Sequence, residues 1–222
     1  MNKLSALLIT SLASISSFAD WEVNMPRGVS PTANAAYDLH MLIFYITVVI
    51  GVIVFGVMFY SIFHHRKSKG AKPASFHEST TVEVIWTVIP FVILVGMAIP
   101  ATKTLIMMED TRDSEITLKV TGYQWMWKYD YVEDNVSFFS KLDNKSNEAR
   151  QLGSKIDVNK VDNYLLNVDN EVVLPTDTKV RRLLTASDVI HAWWVPEITG
   201  KKDAIPGYIN ELWVDIKKPG VY

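Results

Sequence analysis

The sequence predicts a membrane-anchored all-β protein, a two-helix hairpin followed by an outward β-sandwich or Greek-key domain. Two apolar runs long enough to cross a bilayer occupy its first half. Short runs rich in Val, Thr, Ile, Trp and Tyr, separated by turn residues, fill the second half. With 22 Lys+Arg against 24 Asp+Glu there is no basic excess to attract nucleic acid, so no nucleic-acid partner is expected. The absence of cysteine excludes disulfides, thiolate-bound metals and thiol catalysis within these residues.

Residues 1–19 carry Lys3, an uncharged apolar stretch from Leu4 to Ile15, and Ser17-Phe18-Ala19. That order reads as a secretory signal peptide cleaved before Asp20, with an uncleaved anchor as the alternative. Residues 20–38 then form a tail on the outer side. The hairpin covers residues 39–106. Leu39 to Phe63 is free of formal charge when His40 is neutral, and Val82 to Ile106 carries only Glu83 and Lys103 at its ends. Pro90 and Pro100 interrupt the second run and imply neighbouring helices that satisfy the freed carbonyls. Arg66, Lys67, Lys69 and Lys72 crowd the connector, which the positive-inside rule assigns to the cytoplasm. A bacterial inner-membrane protein of two passes follows, with residues 107–222 in the periplasm.

Within that outward part, strands are expected at Ile116–Val120, Trp125–Val132, Glu171–Leu174, Lys179–Ala186 and Leu212–Ile216. Glu133–Asn163 is polar and reads as a long excursion with room for a short helix. Strand alternation puts Trp125, Trp127, Tyr129 and Tyr131 on one face. That many rings can fill a core, or leave one or two exposed for function.

Four stretches in order resemble one family: Val82–Pro90 (VEVIWTVIP), Gly122–Tyr131 (GYQWMWKYDY), Asp188–Pro196 (DVIHAWWVP) and Lys202–Gly207 (KDAIPG). The family is subunit II of the haem–copper terminal oxidases, specifically cytochrome c oxidase. The resemblance implies a cupredoxin-like domain with a binuclear copper centre (CuA). That subunit takes electrons from cytochrome c and passes them to haem–copper subunit I, which reduces dioxygen to water and pumps protons. It also implies further oxidase subunits as partners, with haem and magnesium held elsewhere in the complex, and a subunit that is not catalytic alone.

Site residues carry over one by one. His191 matches a copper ligand. Trp125 matches the exposed ring that admits electrons. Asp130, Asp169 and Asp188 match carboxylates that attract the lysine-rich face of cytochrome c, a charge pattern that raises association rate more than affinity. Asp203 matches an acid at the subunit interface near magnesium, and Glu83 one at the mouth of a proton channel. Tyr208 departs from the family's usual arginine. The remaining copper ligands, two cysteines among them, lie in the family just beyond the equivalent of Tyr222, so the chain reads as ending before its second ligand cluster. A quinol oxidase subunit II, which lacks CuA and its cysteines, is the alternative; against it stands His191, which the quinol branch generally loses. A purely structural anchored β domain is a second alternative.

Overall fold

The computed structural model describes residues 24–73, Ser75 and 77–222; the expected signal peptide lies outside them. Helix α1 spans Pro31–His64 and α2 spans Thr80–Glu109. At 34 residues α1 is about 51 Å long, well beyond a hydrocarbon core of about 30 Å. It starts at Pro31, inside the expected tail, where the expected span begins at Leu39. Hydropathy reads the lipid-crossing part, whereas the helix begins where Ser30 caps it: the Ser30 hydroxyl accepts the Ala33 N–H and Pro31 stands in the first turn. Both helices are apolar on all sides, and their long side chains point outward, as suits lipid or partner helices. Pro90 and Pro100 both lie inside the continuous α2.

The β domain follows with β1 (Ile116–Tyr123), β2 (Met126–Tyr131), β3 (Val136–Ser140), α3 (Asn144–Ala149), β4 (Val180–Ala186), β5 (His191–Trp193), β6 (Lys202–Ala204) and β7 (Asn210–Val214). Five strands form one sheet in the order β3-β2-β1-β4-β7, and β5 and β6 form a facing ribbon. Strands β1 and β4 pair in parallel, Ile116 opposite Val180, while the sheet's other ladders are antiparallel. Leu118, Val120, Val180, Leu184 and Val214 are sealed on the inner face against Trp193 and Ile198.

Three strand expectations change. Trp125 is not in β2 but in the two-residue turn that closes the β1–β2 hairpin, so it leaves the face of Trp127, Tyr129 and Tyr131. Strand β3 lies inside the expected excursion, paired to β2 from Val136–Tyr131 to Ser140–Trp127. Glu171–Leu174 joins no ladder; Val173 instead accepts from the Tyr131 hydroxyl at 2.7 Å and donates back to it at 3.0 Å. The short helix expected in the excursion is α3, capped by the Asp143 carboxylate.

Candidate functional site

The turn after β1 and the loop before β5 meet at one carboxylate. Asp188 accepts the Gln124 N–H at 2.7 Å on one oxygen; on the other it accepts the Val189 N–H at 2.7 Å and His191 Nε2 at 2.8 Å. The Ser187 N–H adds a bond to the Gly122 carbonyl at 2.9 Å. These bonds, His191 first, hold the Asp188 carboxyl down to about 2, so it is ionised and can only accept. His191 Nε2 is therefore the donor in this contact, and Nδ1 is the ring nitrogen on the side away from Asp188. Gly122 makes room for the ring: a Cβ there would lie 2.8 Å from two His191 ring atoms. The Trp127 ring meets His191 edge-on at 5.7 Å.

Trp125 stands out from this cluster, 83% exposed beside a groove of about 290 Å³ that it shares with Trp127 and His191. A larger groove, about 550 Å³, opens over the inner face along Tyr129, Trp193, Ile198 and Ile216, and Tyr222 lies at its lining. Beneath it the Trp193 indole N–H donates to the Tyr129 hydroxyl at 3.0 Å. The Arg182 guanidinium lies 4.5 Å from the centre of the Trp193 ring. Tyr129→Phe leaves that buried indole donor without its acceptor and is expected to lower unfolding stability by about 1–2 kcal/mol, measured by denaturant titration.

Two of the other acids are partnered as well. Asp130 pairs with Lys128 at 2.7 Å, and Asp169 accepts the Lys141 N–H at 2.9 Å. Of the three acids expected to attract a partner, Asp188 is the one bonded to the Trp125 turn. Asp203 is exposed on β6, where its carbonyl accepts from Asn210. Glu83 lies in the first turn of α2, far along the chain from the other site residues, with its carbonyl accepting from Thr87. The bracing role of Asp188 and the cradle at Gly122 escape a reading along the chain. The Asp188-x-x-His191 spacing, which lets the two side chains meet, is a local signal that could have found part of it.

Two family descriptions match, "Cytochrome C oxidase subunit II, transmembrane domain" over residues 19–104 and "Cytochrome C oxidase subunit II, periplasmic domain" over residues 116–222. The chain belongs to the cytochrome c oxidase subunit II family. A probable cytochrome c oxidase subunit 2 of Rickettsia prowazekii is 38% identical over 203 residues, covering 91% of this chain and 62% of that protein. A mitochondrial cytochrome c oxidase subunit 2 of Glycine max is 34% identical, covering 97% of this chain and 54% of its own length. This subunit II chain thus spans less than two thirds of either relative. The periplasmic domain of subunit II of the Bradyrhizobium japonicum cytochrome oxidase is similar at 34% identity, covering 50% of this chain and 70% of that one, with a TM-score of 0.41. The two matches fall on the two parts of the fold, the helical hairpin and the periplasmic β domain.

The donors present in this subunit II do not fit a binuclear copper centre. Such a centre needs two bridging thiolates as well as imidazole. Here one imidazole stands without any cysteine, and among the described residues no three His, Cys, Asp or Glu side chains gather as a metal site.

Proposed function

We propose that this chain is the subunit II of a respiratory oxidase that faces cytochrome c, with Trp125 as the ring through which electrons enter and subunit I as their destination. The observation that carries this reading is the position of Trp125: a large, exposed indole on a turn braced by the carboxylate that also orients His191. Its backbone is held while its ring remains free for a partner. Rigid placement of an exposed ring is what repeated, short-lived docking requires.

His191 offers Nδ1 as one imidazole donor toward copper; no electron step is assigned to copper with the residues at hand. Residues 1–19 serve as a signal peptide, and the hairpin crosses the membrane twice with its basic connector inside. For the hairpin this is supported by the first turn of α1 and the last turn of α2, which both contact the β domain and so lie on one side. Glu83 then stands at the cytoplasmic end, suited to a proton-uptake mouth, and Asp203 on the outer side at the contact with subunit I. Haem and magnesium belong to the partner subunits.

The reading is tested with membranes from a strain lacking its own subunit II and supplied with this gene. Oxygen uptake driven by reduced cytochrome c supports it. Uptake driven by a quinol but not by cytochrome c replaces it with the quinol oxidase reading. Docking charge is tested separately. Asp130→Asn, which removes a half-buried charge paired with Lys128, is expected to slow cytochrome c oxidation mainly at low ionic strength, because long-range attraction is screened beyond about 10 Å at 0.1 M salt. Asp188→Asn should leave a deficit that persists at high salt, since the turn bearing Trp125 loses its brace as well as a charge.

A further inference from the structure

Arg182 is a charge where the β-strand pattern asks for a hydrophobe. Its neighbours on the inner face of β4, Val180 and Leu184, are sealed core residues, and Arg182 itself has no exposure. Its Nη2 donates to Thr199 Oγ1 at 2.9 Å, while Nε and Nη1 have no hydrogen-bond partner among the described residues. Burying a cation with two of its nitrogens unpaired costs desolvation that an apolar side chain of similar volume would not incur, so fold stability gives no reason for an arginine here.

Its contacts lead elsewhere. Thr199 follows Ile198, whose carbonyl accepts from the Ser30 hydroxyl and, at 3.5 Å, from Thr32. One residue earlier the Glu197 carbonyl accepts the Val29 N–H at 2.7 Å, and the Val29 carbonyl accepts the Lys217 N–H at 2.8 Å. Gly28 packs so closely that a Cβ would overlap Ala33 and approach the Glu197 carbonyl to 2.9 Å. Ser30, Thr32, Ala33, Arg182 and Thr199 are all buried. Ser30 is thus two things at once, the N-cap of α1 and a bond into the β domain.

The second helix is tied separately. The Trp213 indole donates to the Met107 carbonyl at 2.9 Å, and Lys202 pairs with Glu109 at 3.1 Å. Helix α2 also runs into β1 through only six residues, Asp110 to Glu115. A domain held at α2 alone can pivot about that short link. A second point of attachment removes the pivot.

We propose that Ser30, Thr199 and Arg182 form a bracket that fixes the orientation of the β domain on the first membrane helix, with Arg182 as the positioning residue that ties Trp193, two residues from His191, to that bracket. The guanidinium suits the role, since it lies over the indole and donates to Thr199 through Nη2. This inference stands independently of the route that electrons take.

The absence of cysteine makes the test direct. Spin labels on cysteines placed at Asp38 and Asp134, both exposed, report the distance between α1 and the far edge of the sheet in the full chain in lipid nanodiscs. The parent should give one narrow distribution. Ser30→Ala and Arg182→Met should each broaden it by about twofold as the domain gains freedom, whereas Ser30→Thr, which keeps the hydroxyl, should leave it narrow. Thermal unfolding and near-ultraviolet circular dichroism of Arg182→Met should match or exceed the parent, separating pivoting from loss of fold. An unchanged width in both Ser30→Ala and Arg182→Met overturns the bracket. Broadening in Arg182→Met accompanied by lost tertiary signal overturns the positioning role of Arg182.

Discussion

Trp125→Phe should slow electron transfer from reduced cytochrome c by at least about tenfold, equivalent to about 1.4 kcal/mol in barrier, with binding and thermal stability near parent values. The ring lies in a turn and is 83% exposed, so its replacement removes little packing. Phenylalanine keeps much of the apolar contact area and loses the indole. Trp127 is the internal control. It sits in β2, packed edge-on against His191, and its replacement by Phe should lower stability first, with any loss of transfer following from that. Stopped-flow oxidation of cytochrome c at several concentrations separates affinity from rate. Transfer at the parent rate in Trp125→Phe would remove the ring from the route, and equal losses of rate and stability in both variants would assign the pair to packing.

The second large effect concerns Gly122. Its φ is unremarkable for a strand, so the reason for glycine is the close approach of the His191 ring, at 2.8 Å from where a Cβ would stand. The ring has little room to yield, because Nε2 is bonded to an aspartate that is itself bonded to the Gln124 and Val189 amides. Gly122→Ala is expected to cost about 3 kcal/mol, the upper end of ordinary overpacking penalties. It should also break the Asp188–His191 contact. Denaturant unfolding measures the first effect, and ¹⁵N NMR of the His191 ring measures the second through loss of the Nε2–H tautomer. A stable variant with an unaltered tautomer would show that the strand shifts to accommodate the methyl group.

Much of the architecture is legible along the chain. Two long apolar runs make the hairpin, since a run that cannot hydrogen-bond its backbone to lipid must be helical. The alternating burial of Val180, Arg182, Leu184 and Ala186 is the period-two pattern expected for Lys179–Ala186. The identity of Arg182 misleads even so: a charge on a strand reads as outward, and its inward position follows from the register with Leu118 and Leu212. Strand β3 was hidden because Val136, Ser137, Phe138, Phe139 and Ser140 mix both faces with polar flanks. Glu171–Leu174 has the composition of a strand but finds the Tyr131 hydroxyl in place of a ladder partner.

What the sequence determined by itself is the set of local choices: which segments are apolar enough to leave water, which short runs alternate as strands, and which ordered motifs mark the subunit II family. Those depend on residues a few positions apart, through desolvation and backbone period. Only the tertiary structure decided that Gly122 cradles His191, that Asp188 braces the Trp125 turn, and that the cap of α1 is bonded to the loop beside Arg182. The partners in these contacts are far apart in sequence, and no propensity spans that distance. They are selected by the parallel register of β1 on β4 and by the packing of the β5–β6 ribbon over the sheet, where a misplaced side chain would leave a buried donor unpaired or a cavity unfilled.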